Sequence, residues 1–190
     1  MRGAYLAAAI ALAALGAPLA LPLLSPPALI EYEQRTHLAQ RPQEKSGVGA
    51  LLPQVFADEL GWRDMARQVA AAWATLPPDV RAHTSIVTQN YGEAGALELY
   101  GEPLGLPPPL SGHDQFYLWG LRGQNPDSVL LIDAPGNMLP DPAAHCAHWR
   151  VLGKLFSPYA MPYENERTML LCEHAHPSLA TAWPKLKHFE

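Results

Sequence analysis

The chain has 190 residues, 48% of them hydrophobic, which is enough for one compact domain with a real core and an accessory segment. A formal charge of -5, a pI near 5.9 and no Lys/Arg run interleaved with aromatics exclude the electrostatic footprint of a nucleic-acid binder. Twenty prolines and 14 glycines, with prolines adjacent at Pro26-Pro27, Pro77-Pro78 and Pro107-Pro108-Pro109, predict many defined turns.

Residues 3–30 contain no charge, and residues 4–24 are almost wholly Ala, Leu and Ile, long enough to cross a hydrocarbon core as a helix. Residues 1–30 are therefore expected to form one transmembrane helix or signal anchor. Arg2 favours a cytoplasmic N-terminus and an extracytoplasmic remainder. A cleaved signal peptide is the alternative, since a basic start and small residues such as Ala17 and Ala20 also fit that pattern. Residues 31–50 have the polar composition of a linker, and residues 51–190 are expected to form an extracytoplasmic α/β domain.

Within that domain, Asp58 reads as the cap of a helix whose stripe Leu60, Met65, Val69, Ala72, Trp73 and Leu76 ends at Pro77-Pro78. A strand over residues 84–88 leads through a polar turn into a helix over 92–100. Phe116, Tyr117, Leu118 and Trp119 read as a short or edge strand. Residues 128–133 read as a strand buried on both faces, residues 140–148 as a short helix, 150–156 and 168–173 as strands, and 179–189 as a closing helix. Strands alternating with helices predict a small three-layer α/β sandwich with a mostly parallel sheet.

Six motifs stand in order: Leu52-Pro53-Gln54 with Phe56-Ala57-Asp58 and Gly61-Trp62; Asn90-Tyr91-Gly92-Glu93-Ala94-Gly95-Ala96; Gly105-Leu106-Pro107; Ser111-Gly112-His113; Leu118-Trp119-Gly120; and Pro162-Tyr163-Glu164-Asn165. As a set they resemble the C-terminal extracytoplasmic domain of bacterial membrane glycosyltransferases of the protein mannosyltransferase and aminoarabinose transferase type, which take a sugar from a polyprenyl-phosphate carrier. Residues 4–24 match the position of the last membrane helix of those enzymes. The catalytic carboxylate of that family lies in an early loop of a membrane bundle with no counterpart here. The resemblance thus implies a hexosyltransferase tail without its catalytic half: a piece of a longer frame, a domain working beside a separate membrane subunit, or a domain that has lost the activity.

The turn over residues 90–95 lacks the Lys of a P-loop and fails the dinucleotide fingerprint. Asn90, Tyr91 and Glu93 are instead the candidate contacts for sugar hydroxyls or a phosphate head, weighed against a plain tight turn. His113, Tyr117 and Trp119 are candidates to line the same mouth, weighed against core aromatics and a turn histidine. Ser111 and His113, two apart, lack the geometry of a triad. Tyr163, Glu164 and Asn165 supply a third polar, aromatic loop, weighed against a simple connection. No residue is assigned as catalytic and no cofactor is expected.

Cys146 and Cys172 suffice for one disulfide in an exported setting, though their spacing does not establish it. With His145, His148, His174 and His176 they also invite a metal reading, but the spacings match no standard zinc motif and no metal is assigned. The expected function is accessory: aiding acceptor or carrier binding for transfer from a polyprenyl-phosphate sugar at the cell membrane. The alternatives are a stand-alone anchored module binding an envelope glycan or protein, and a metal-dependent exported hydrolase.

Overall fold

The structure, a computed structural model, describes residues 2–38, 49–134 and 137–189. Its chain divides into two compact units, one of Met1–Leu60 with Tyr159–Pro162 and one of Gly61–Pro158 with Tyr163–Glu190.

The first unit opens with α1 (Arg2–Ala20), a 19-residue helix with no buried residue, long and apolar enough to cross a membrane. Helix α2 (Pro26–Thr36) starts on a favourable proline and ends at His37 in the left-handed region, φ 57°. Part of the stretch read as linker is therefore helical, while residues 39–48 of it lie outside the described residues. Leu29 of α2 packs with Leu52, Phe56, Ala57 and Met161 in a small core that includes α3 (Gln54–Ala57).

In the second unit the helix expected from Asp58 begins later, as α4 (Trp62–Ala74). Asp58 instead closes α3, and Gly61, at φ 89°, makes the left-handed entry that a side chain would resist. Its stripe of Met65, Val69, Ala72 and Trp73 is buried as expected. A short α5 (Pro78–Ala82) leads to β1 (Thr84–Thr88), then α6 (Tyr91–Gly101), β2 (Leu110–Ser111) and α7 (Asp114–Trp119). Next come β3 (Ser128–Asp133), α8 (Pro142–His145), β4 (Cys146–Lys154), β5 (Thr168–Ala175) and α9 (Leu179–Leu186).

Residues 116–119 are thus helical, which corrects the expected strand. A helix brings Phe116 against Trp119, ring centroids 4.7 Å apart, a contact at i and i+3 that an extended chain separates. The helix expected over 140–148 is four residues long, because Cys146 onward pairs with β5.

The five strands lie in the order β2-β1-β3-β5-β4. The ladders β1–β2 and β1–β3 are parallel, whereas β3–β5 and β4–β5 are antiparallel. The α/β class stands, but the sheet is mixed rather than mostly parallel. A parallel crossover is usually built on an α-helix, and the connection between β4 and β5, residues 155–167, holds only the 3₁₀ turn Pro162–Glu164. Strand β5 therefore returns antiparallel and inserts between β3 and β4.

Side chains alternate across the sheet. On one face Ile86, Leu130, Ile132 and Leu171 pack against Met65, Val69 and Trp73 of α4 and Leu97 of α6. On the other, Val87, Val129, Leu131 and Cys172 pack against Leu179 and Trp183 of α9. Each fully buried aliphatic side chain here contributes about 1.5–3 kcal/mol. A disulfide joins Cys146 of β4 to Cys172 of β5. Both cysteines are thereby withdrawn from the ligand set weighed above, and among the described residues no group of three His, Cys, Asp or Glu is placed to hold a metal ion.

Candidate functional site

The C-terminal ends of β1 and β3 lie beside the N-terminal end of β5, because β5 runs the opposite way. Strand β1 passes to β2 on one side and has β3 on the other, so this is the place where an α/β sheet opens a crevice for ligands. Here the crevice is occupied by the protein's own side chains. Arg167, just ahead of β5 and 6% exposed, reaches into it.

Arg167 Nε lies 3.2 Å from Glu93 Oε1 and 3.8 Å from Glu164 Oε2, and its Nη1 donates to Gln89 Oε1. Gln89 Oε1 also accepts from the Ala134 N–H at 3.4 Å, tying the end of β1 to the end of β3. Glu93 completes a capping box: Asn90 Oδ1 accepts from Glu93 N at 2.9 Å, and Glu93 Oε2 accepts from Asn90 N at 3.1 Å and Gln89 N at 2.9 Å. The turn is held from both ends.

Glu93 is fully buried, and burial pushes its carboxyl up to about 7, with Glu164 adding to the rise and Arg167 and the Asn90 and Gln89 N–H groups opposing it. The folded chain thus holds this proton more tightly than the unfolded chain, whose carboxyl titrates near 4.5. Stability from this group is complete below pH 4.5 and is lost as pH rises to about 7. In thermal unfolding measured against pH, the difference between the native chain and Glu93→Gln should change across that window and be flat above it. A difference that is constant from pH 4 to pH 8 would remove this assignment. Asp133, at the end of β3, is also raised by burial, against the hydrogen bond from the Met138 N–H, the positive charge of Arg167 and further hydrogen bonds from Ala134 and Asn137.

Behind the turn, residues 112–114 meet the returning segment at His188. His113 is 3% exposed, its Nδ1 accepts from the Tyr91 N–H at 3.4 Å, and its ring meets the Tyr91 ring edge-on at 4.9 Å. His188 stacks on His113 with centroids 4.4 Å apart, and its Nε2 lies 3.0 Å from Gln89 O. Backbone bonds hold this approach: His188 N donates to Gly112 O at 3.1 Å and Asp114 N to His188 O at 3.1 Å. A Cβ on Gly112 would sit 2.1 Å from Leu186 O, so no side chain fits without moving the backbone. Gly112→Ala should therefore cost about 1–3 kcal/mol in denaturant unfolding and shift the His113 and His188 ring resonances. Unchanged stability and shifts would contradict the close approach.

Of the residues expected at a site, Asn90, Tyr91, Glu93, His113 and Glu164 come together around Gln89 and Arg167. Asn90 Oδ1 and Glu93 Oε2 are spent on the turn, and Tyr91, 55% exposed, is its open face. Tyr117 instead stacks on Trp183 at 5.7 Å, with Lys187 Nζ 5.6 Å from its ring. Trp119, 50% exposed, stands with Phe116 and the Arg122 guanidinium, itself bonded to both carboxylate oxygens of Glu98. Asn165 clamps its own loop, accepting from Ser157 N at 2.8 Å and donating to Ser157 O at 3.0 Å. Tyr163 is exposed in the 3₁₀ turn. Ser111 Oγ accepts from His113 N at 3.2 Å, the bond of a turn rather than of a nucleophile and its base.

Gln89, Asp133, Arg167 and His188 were not among the expected residues. No family model, curated protein or solved structure matches the chain.

Proposed function

We propose that this chain is an accessory extracytoplasmic domain for a glycosyltransferase that uses a polyprenyl-phosphate sugar. It is carried by α1 in the membrane, and it holds acceptor or carrier head group beside a separate catalytic membrane bundle. The observation that carries the reading is the turn at Asn90. Its polar groups are locked by Glu93 and Arg167, so Tyr91, with His113 behind it, is presented at the strand ends in one fixed geometry. A preorganised aromatic face suits binding of a sugar or its phosphate. The Cys146–Cys172 disulfide supports an oxidising compartment, as an exported domain would have.

In lipid nanodiscs the full chain should bind a polyprenyl-phosphate hexose saturably and transfer none of it to an acceptor unless a membrane subunit is added. Tyr91→Ala should weaken that binding about tenfold, the worth of one well-packed aromatic contact. Transfer by the chain alone would sink the proposal.

The exposed pair Leu118 and Trp119 on α7, 63% and 50% accessible, favours a second reading, an anchored module for an envelope glycan or protein. That reading requires binding to fall with Trp119→Ala and to ignore Tyr91→Ala.

A further inference from the structure

On the sheet face away from α4 and α6, the packing of α9 is incomplete. A cavity of about 400 Å³ opens between the sheet and this helix, floored by Val129 and Leu131 and walled by Leu179 and Leu186. Its volume falls within the range of small-molecule sites, and its mostly apolar lining suits an alkyl chain. At roughly 30 Å³ for each water-sized group, it has room for on the order of a dozen methylenes.

The mouth has one sign of charge. Lys185, His145 and His176 line it and, among the described residues, no carboxylate does, although the whole chain is acidic at -5. Asp133 belongs to a neighbouring recess of about 220 Å³, which shares Leu131 and Leu139. His145 Nδ1 lies 3.0 Å from His176 O, so the two residues are joined across this rim. Among the described residues the mouth carries no arginine fork of the kind that grips phosphate bidentately. A single ammonium beside imidazoles matches a head group with one negative charge.

The geometry points to a fatty-acid site: a single alkyl chain lies between α9 and the sheet, with its carboxylate at Lys185. It is independent of the site at Asn90, and either can fail without the other. The test is a titration of decanoate into the full chain in zwitterionic nanodiscs, followed by methyl NMR. Val129, Leu131, Leu179 and Leu186 should shift saturably, while Leu6 and Ile10 of α1 report only non-saturating partition into lipid. Lys185→Gln should weaken decanoate about three- to fivefold, the worth of one exposed charge, and leave decanol unchanged. Ala182→Trp, which fills the cavity, should abolish the saturable shifts. Should that variant lose its dispersed methyl spectrum, Leu139→Phe fills the same space from the opposite wall. Absence of saturable shifts in the native chain, their persistence in a folded filled variant, or tighter binding of decyl phosphate or decanol than of decanoate would each overturn the assignment.

Discussion

Arg167→Met is expected to destabilise the chain by about 3–5 kcal/mol at pH 8, the cost of stripping one partner from a buried ion pair, and by clearly less at pH 5. At pH 8 Glu93, which titrates at about 7, is ionised, and its carboxylate is fully buried. Without the guanidinium 3.2 Å away, it must either remain an uncompensated buried charge or take up a proton at a pH that disfavours one. At pH 5 the carboxyl already holds its proton in the folded chain, so the ionic part of the loss disappears. What remains is lost packing and the bond to Gln89 that helps tie β1 to β3. Adding Glu93→Gln to Arg167→Met should therefore recover most of the pH-8 loss and little at pH 5. Urea unfolding of the four chains at both pH values closes the cycle. A cost of Arg167→Met that is equal at the two pH values would show that the arginine acts by packing alone.

This pair also marks how far the sequence carries. Strands β1 and β3 were legible because Ile86-Val87 and Val129 to Ile132 are apolar on consecutive positions, the mark of a strand covered on both faces. The start of α6 was legible in its polar, glycine-bearing turn. Arg167 was not, since it lies 78 positions from Gln89 and no local pattern points from one to the other. It reaches the site only because β5 is inserted antiparallel between β3 and β4, after a connection that carries no α-helix. His188 was hidden for the same reason, and its stack on His113 depends on a glycine whose role is to leave space. Helix α7 was misread because Phe, Tyr and Trp favour strands when only propensity is counted. Phe116 and Trp119 pair across one helical turn, and the chain enters that turn through Asp114 at φ 47°.

Removing the disulfide should be the other large perturbation. The bond closes a loop of 26 residues, for which loss of the cross-link costs about 3–4 kcal/mol by the loop-entropy account. The effect should be concentrated rather than spread. Strand β4 is the sheet's outer strand, with Ala147 to Val151 exposed, and beyond its ladder to β5 it has little packing to keep it in place. The bond pins its first residue, Cys146, to the buried Cys172, so the double variant Cys146→Ala with Cys172→Ala should fray β4 before the core opens. Hydrogen exchange should show faster exchange of the β4 and β5 amides, with β1 and β3 still protected. Adding dithiothreitol to the native chain should reproduce that pattern, and adding it to the double variant should change nothing. Equal loss of protection in all strands would mean that β4 is integral to the cooperative core rather than fastened to its edge.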